Sequence, residues 1–234
     1  MKPLVSVMMP AYNAASFIAD AIKSMQAQTY ENWQLCIVDD GSTDQTYYVA
    51  SSFLEDARIC LDQIPQSGCP TARNHCLKMM EGDIFARLDA DDTHDPERLE
   101  SQVHLLLEQN TVDIVSSNMT WLVNDLHLGK NTGLMLPPLY MAGKSNGPCC
   151  ASLVAWRRVY ELVGGFDPKL PAGSDGDWNF RAILERMTWG HVDGYYYHQR
   201  RHPGQISKRL STSQRQAHSK AREKYAKLYN KRLP

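Results

Sequence analysis

Nowhere in the 234 residues is there a run of about 18 consecutive apolar residues, so the sequence offers no membrane-spanning helix. The opening Met1-Lys-Pro-Leu-Val-Ser-Val is also far too short an apolar run for a signal-peptide core, and a soluble, cytoplasmic protein is expected. The six cysteines (Cys36, Cys60, Cys69, Cys76, Cys149 and Cys150) include no C-x-x-C pair, and no histidines stand beside them at zinc-finger spacing. That excludes a structural zinc site of the usual kinds and leaves reduced, mostly buried thiols. Acid is scarce at the C-terminal end: from Arg200 onward eleven basic residues face the single acid Glu223, so the net charge of −1 conceals an acidic body and a basic tail. No aromatic-basic groove accompanies those charges, and nucleic acid is not expected as a partner. Repeats and low-complexity tracts are absent.

What is present is ordinary for a compact α/β domain: 43% hydrophobic and 22% charged residues, in a chain long enough to bury a sizeable core. Short β-branched runs alternate with amphipathic segments, the pattern of βαβ units around a parallel sheet. Strands are expected at Val5 to Met9, Gln34 to Val38, Arg58 to Asp62, Ile84 to Leu88 and Asp113 to Ser117. Helices are expected from Phe17 to Met25 with Ser16 or Asn13 as cap, after Ser42-Thr43-Asp44, from Thr71 to Met80, and from Arg98 to Gln109. Further helices are expected over Trp156 to Val163, stopped by Gly164-Gly165, over Trp178 to Met187, and over the basic Thr212 to Lys231. Residues 132–147 read as loop.

The most informative stretch is Arg87-Leu-Asp89-Ala-Asp91-Asp92-Thr-His-Asp95-Pro, four carboxylates directly after an apolar strand. Open α/β sheets bind their ligands at that strand end. Such a density of hard oxygen ligands suits Mg²⁺ or Mn²⁺, which keeps waters and bridges a carboxylate to substrate phosphates. A helix N-terminus rich in acid accounts for Asp95 and Glu97 but not for Asp89 and Asp91. A calcium loop is excluded, because His94 stands where the loop needs glycine and Pro96 interrupts it. Asp89-x-Asp91-x-Thr93 also resembles the haloacid dehalogenase phosphatase motif, which in that family follows the first strand. Here three strands precede the one that carries it.

Val5-Ser-Val-Met-Met-Pro10-Ala-Tyr12-Asn13, Gln28-Thr29-Tyr30, Val38-Asp39-Asp40-Gly41-Ser42-Thr43-Asp44, Ala72-Arg73-Asn74 and Leu88-Asp89-Ala90-Asp91-Asp92 together closely resemble the family 2 glycosyltransferases. The resemblance implies a GT-A fold, a Rossmann-like and mostly parallel sheet flanked by helices. It implies a nucleotide-sugar-binding half over 1–110, an acceptor and catalytic-base half over 111–207, and the basic helical tail over 208–234. It also implies donor-binding roles for Pro10, Tyr12, Asn13, Asp40, Arg73, Asp89 and Arg201, with Tyr12 stacking on the nucleobase and Asp40 accepting its imide N–H. Asp91 would be the direct metal ligand, with Asp92 able to substitute, Asp89 acting through water and His202 available to the metal or a phosphate.

In the second half, Ser174-Asp175-Gly-Asp177-Trp178-Asn-Phe-Arg181 resembles the family's E-D-x-D-x-x-x-R segment, which makes Asp175 the catalytic base. Ser174 replaces the usual Glu, leaving Asp177 as a substitute. Asp177 and Trp178 are further candidates for the acceptor side, although an Asp-Gly turn before a helix gives the same pattern. Tyr195 to Ser207 resembles the family's strand and R-x-H-P-G-S-x-S loop. The processive Q-x-x-R-W signature is missing, which favours single transfer.

The expected activity is therefore metal-dependent, inverting transfer of a sugar, with UDP favoured by resemblance, to a saccharide or lipid-linked saccharide acceptor in polysaccharide or glycoconjugate synthesis. Two alternatives stand beside it: a non-catalytic nucleotide-sugar-binding subunit on the same fold, and the phosphatase reading. The basic tail fits either a solvated helix or contact with the anionic inner face of a membrane.

Overall fold

The computed structural model describes residues 2–123, 126–131, 150–170, 173–205, 223, 225–229 and 231. The expected loop over 132–147 and most of the expected terminal helix lie outside these residues; positions 225–229 are helical. Strands β1 (Val5–Ala11), β2 (Trp33–Asp39), β3 (Ile59–Gln63) and β4 (Ile84–Arg87) alternate with helices α1 (Ile18–Gln26), α2 (Thr46–Ser51) and α3 (Cys69–Met79). Beyond them come β5 (Thr93–His94), α4 (Arg98–Glu108), β6 (Ile114–Val123) and β7 (Leu126–Asn131). A short 3₁₀ turn (Cys150–Ser152), β8 (Val154–Trp156), α5 (Arg157–Val163), α6 (Ser174–Leu184) and β9 (Trp189–Arg200) complete the described order.

All nine strands among the described residues join one sheet, in the order β3-β2-β1-β4-β8-β6-β9-β5, with β7 added on β6. The pairs β3-β2, β2-β1 and β1-β4 are parallel, and so is β6-β9, while β8 runs antiparallel between β4 and β6. Val5, Val7, Met8 and Met9 have no exposed surface, as expected for a central parallel strand covered on both faces. One face is covered by α1, whose Ile18, Ala21, Ile22 and Met25 form a buried stripe, together with Leu99, Val103 and Leu106 of α4. The other face carries Ala72 and Cys76 of α3 with Val159, Tyr160 and Val163 of α5. Both halves expected from the sequence thus contribute to the same sheet.

Neither Ser16 nor Asn13 caps α1. The N-cap position is Phe17, with no side-chain bond, and Asn13 is turned toward the β2–α2 loop instead. The Gln28-Thr29-Tyr30 segment is a structural joint: Gln28 accepts from the Leu99 N–H at the start of α4 and donates to the Asp95 carbonyl, and Tyr30 donates to the Pro3 carbonyl. Such capping satisfies a helix N–H that has no partner of its own. Helix α6 begins at Ser174, four residues earlier than expected, and β5, β7 and β8 are additions that the sequence reading did not contain.

Candidate functional site

The parallel strands end in loops on one edge of the sheet, and the candidate residues gather there. At the end of β1, Tyr12 is 41% exposed and Pro10 half-buried. Asn13 staples this loop to the next: its Oδ1 accepts from the Thr43 N–H at 2.8 Å, and its own N–H donates to Ser42 Oγ. Asn13 adopts a positive φ of 50°, which asparagine tolerates better than most residues.

Both acids at the end of β2 are buried and bonded to neighbouring loops. Asp39 accepts from Gln63 Nε2 at 2.7 Å and from the Ser42 hydroxyl. Asp40 accepts from the backbone N–H groups of Ser67 and Gly68, at 2.7 and 2.8 Å, and so fixes the loop that opens α3. Between these loops Gly41 has φ +68°, and a Cβ there would lie 2.6 Å from the Gln66 nitrogen, so only glycine fits.

Arg73 explains why a cation sits early in a helix, where the dipole disfavours it. It is buried on the sheet side of α3, with Nη2 3.1 Å from Asp89 Oδ1 and Nη1 2.5 Å from Asp175 Oδ1. Arg73 and Asp175 are 102 residues apart in the chain. Burial works against the Arg73 charge, but Asp175 and Asp89 outweigh it and hold its pKa well above the ordinary value. Asp89 is pushed up by burial and by Asp91 and Asp175, with Arg73 pulling the other way. Asp175 lies in the first turn of α6, a favourable place for an acid, and its side chain is 31% exposed.

The acidic turn after β4 divides into two parts. Asp91 is partly exposed: its Oδ2 lies 3.0 Å from His202 Nε2, and the His202 ring is 4.5 Å from Phe17. Asp92 points inward and is 2% exposed; Oδ1 accepts from the Arg200 N–H at 2.8 Å and Oδ2 from the Tyr197 hydroxyl. Burial, with Asp91 and Asp89 nearby, raises the Asp92 pKa well above the carboxylate range. Asp92 is therefore a brace rather than a stand-in for Asp91 as metal ligand. Asp95 accepts from the Glu97 N–H at the start of α4, as an acid at a helix entrance should.

Two further expectations, for Trp178 and Asp177, need correction. Trp178 has no exposed surface, donates to the Gly164 carbonyl at 3.0 Å and packs on Tyr160 and Phe166, so its ring has no face for an acceptor sugar. Asp177 spends Oδ2 on Arg181 and Oδ1 on the Tyr225 hydroxyl, which removes it from the acceptor side and as a substitute base. Arg201 is exposed and lies over the Trp121 ring at 5.0 Å. Its neighbour Arg200 reaches the acidic turn, donating from Nε to the Asp91 carbonyl and pairing with Asp20.

Arg200 is one functional candidate that sequence reasoning missed; Arg87 is another, a charged residue closing an otherwise apolar strand. Among the described residues no three His, Cys, Asp or Glu side chains gather into a metal cage. The Asp91–His202 pair remains, which fits a cation that completes its shell with water and phosphate oxygens. The Cys69 thiol is pushed up to about 12 by burial, and Cys36, Cys60 and Cys76 are likewise free thiols, none placed to act as a nucleophile.

Comparison with known proteins places this geometry in context. The model of the family "Glycosyl transferase family 2" matches residues 6–150. An uncharacterized glycosyltransferase of Rickettsia felis is 32% identical over 224 residues, covering 89% of this chain and 36% of that protein. The chain thus spans about a third of the length of that relative. The Escherichia coli UDP-Glc:alpha-D-GlcNAc-diphosphoundecaprenol beta-1,3-glucosyltransferase WfgD is 35% identical over 127 residues, 54% of this chain and 50% of its own. Among solved structures, S. aureus TarS 1-349 in complex with UDP-GlcNAc superposes with a TM-score of 0.75 at 20% identity, covering 91% of this chain and 62% of its own. The mannosyltransferase PcManGT from Pyrobaculum calidifontis, in complex with GDP-Man and Mn²⁺, gives 0.65 at 20%, covering 85% and 57%. These likenesses establish the GT-A fold. Among the described residues, no helix is long and apolar enough to cross a membrane.

Proposed function

The chain belongs to glycosyl transferase family 2, and on that footing we propose that it moves a sugar from a nucleotide diphosphate donor to an acceptor hydroxyl with inversion at the anomeric carbon. The observation that carries the proposal is the Arg73 bridge, which joins Asp89, beyond strand β4, to Asp175, at the head of α6. A donor-side acid and a candidate base are thereby set beside one another at the ligand-binding edge of the sheet.

In this reading the nucleobase stacks on exposed Tyr12, a contact worth about 1–3 kcal/mol where bases meet aromatic rings. Pro10 shapes that wall, Asn13 holds the Tyr12 loop to the β2 loop, and buried Asp40, through its bonds to the Ser67 and Gly68 N–H groups, holds the loop that meets the base edge. The diphosphate lies toward Asp91 and His202, which would hold Mn²⁺ or Mg²⁺. When bound, that cation supplies Lewis-acid neutralisation of charge growing on the leaving diphosphate. Asp175 takes the proton of the attacking hydroxyl, and with a single displacement no protein nucleophile is needed. A UDP-sugar and a lipid-linked saccharide are the proposed substrates, by analogy with the donor and acceptor in the WfgD name. Polysaccharide or glycoconjugate synthesis is the corresponding setting.

The phosphatase alternative is disfavoured because Asp89 follows the fourth strand in chain order. To test the proposal, sugar release from UDP-glucose and UDP-N-acetylglucosamine is measured with Mn²⁺ for the wild type and for Asp175→Asn. Loss of about 10²–10⁴ in turnover with donor KM nearly unchanged is expected of a general base. A protein that binds UDP yet releases no sugar would instead be the non-catalytic subunit.

A further inference from the structure

Behind the candidate base lies a second guanidinium that the proposed reaction has not used. Arg87 closes strand β4 and is 2% exposed, a burial that cations rarely reach unless paired. Its guanidinium is boxed by aromatic rings: Trp178 at 4.5 Å, Phe166 at 4.9 Å and Tyr160 at 5.6 Å. Tyr160 also accepts from Arg87 Nε through its hydroxyl at 2.9 Å, fixing the plane of the group. Nη1 then lies 3.7 Å from Asp175 Oδ1.

That oxygen is also the one Arg73 binds, at 2.5 Å. Two guanidiniums, from β4 and from α3, thus converge on Oδ1, while Oδ2 of the same carboxylate accepts no hydrogen bond among the described residues. A carboxylate pinned by one oxygen keeps the other oriented and available. Lysine would supply the same charge as a point, without a plane for Tyr160 and the rings to lock.

We propose that Arg87, held in its aromatic box, is a positioning residue that fixes Asp175 by Oδ1 and so presents Oδ2 to the acceptor hydroxyl. The inference rests on the assignment of Asp175 as base. Arg87 does not touch the donor in this arrangement; it acts through Asp175, and the box formed by Tyr160, Phe166 and Trp178 exists to hold it. The burial of Trp178 acquires a functional reason in the same stroke: the ring serves the site from behind.

The test compares Arg87→Met, Arg87→Lys, Tyr160→Phe and Asp175→Asn for release of sugar from UDP-glucose and UDP-N-acetylglucosamine with Mn²⁺, alongside the thermal shift given by UDP. Arg87→Met should lower kcat by roughly tenfold to a hundredfold, the scale on which small misplacements of a reacting group cost rate. Donor KM and the UDP thermal shift should stay at wild-type values, a split that general loosening of the fold would not give. Arg87→Lys should recover part of the loss. Should Arg87→Met fail to fold, Tyr160→Phe carries the test, with an expected fall in kcat of about fivefold for one lost hydrogen bond. Wild-type kcat in a folded Arg87→Met or in Tyr160→Phe, with Asp175→Asn impaired, would overturn the positioning role alone. If Asp175→Asn is as active as the wild type, or the wild type releases no sugar, the assignment of the base fails and this inference falls with it.

Discussion

Asn74 offers a sharp test of how the site is held. Its side chain meets the backbone of Phe166 twice, Nδ2 donating to the carbonyl and Oδ1 accepting from the N–H, each at 2.7 Å. Phe166 is 2% exposed, and its ring lies 5.4 Å from the Arg73 guanidinium and 4.9 Å from that of Arg87. The approach is close enough that a Cβ on neighbouring Gly165 would come 2.4 Å from Asn74 Oδ1. Asn74→Ala strands a backbone donor and an acceptor, and each such group costs about 1–3 kcal/mol when water cannot replace the partner. Asn74 is only half-buried, so some water will enter and a total of about 2–4 kcal/mol is expected. At about 2–4 °C per kcal/mol for a chain of this size, the melting temperature should fall by roughly 4–16 °C. Asn74→Asp should not rescue it, because its second oxygen would face the Phe166 carbonyl where a donor is required. Differential scanning calorimetry decides the matter: an alanine variant within about 1 °C of the wild type would show that the clamp contributes nothing and that the loop is held otherwise.

Asp91→Ala should abolish the Mn²⁺-dependent part of UDP binding, read by calorimetric titration with and without the metal; unchanged metal dependence would move the ligand elsewhere. Trp178→Phe should cost about 1 kcal/mol of stability from the lost bond to Gly164. The same variant should leave acceptor KM unaltered, and a raised acceptor KM would return the ring to the substrate side. Burial, with Arg98 and His198 nearby, holds the His94 pKa well below 6.5. The unfolded chain therefore takes up a proton that the folded His94 refuses, so stability is full above about pH 6.5 and is lost as pH falls below it. His94→Gln should flatten that acid decline in melting temperature, and an undiminished slope would assign it to other groups.

Strands β1 and β2 were legible because they are apolar on both faces and bounded by Pro10-Ala-Tyr-Asn and Asp39-Asp40-Gly. The acidic turn was legible too, since a helix entrance explains Asp95 but not Asp89 and Asp91 directly after an apolar run. What the sequence could not disclose was direction. Asp91 and Asp92 are adjacent and chemically identical, yet one stays partly exposed beside His202 and the other is claimed by Tyr197 and Arg200 from β9. Trp178 and Asp177 shared the fate of many residues near a motif: contacts from α5 and the Phe166 loop, and from Tyr225, distant in the chain, drew them inward. The early start of α6 was hidden by Ser174-Asp-Gly-Asp, a turn-like run that the Asp177–Arg181 pair, four residues apart, helps keep helical. Two-residue β5 owes its existence to β9 and carries no local signal.

The grip of Tyr197 and Arg200 on Asp92 bears on how the molecule could be divided. A fragment ending ahead of β9 would retain the donor-side motifs from Val5 to Asp92 but lose His202, and its acidic turn would lose the anchor that sets which carboxylate looks outward. The N-terminal portion is thus no self-sufficient nucleotide module. Its competence is conferred by a strand that enters the sheet late, and engineering that swaps acceptor halves between such proteins would have to carry β9 and its anchor across together.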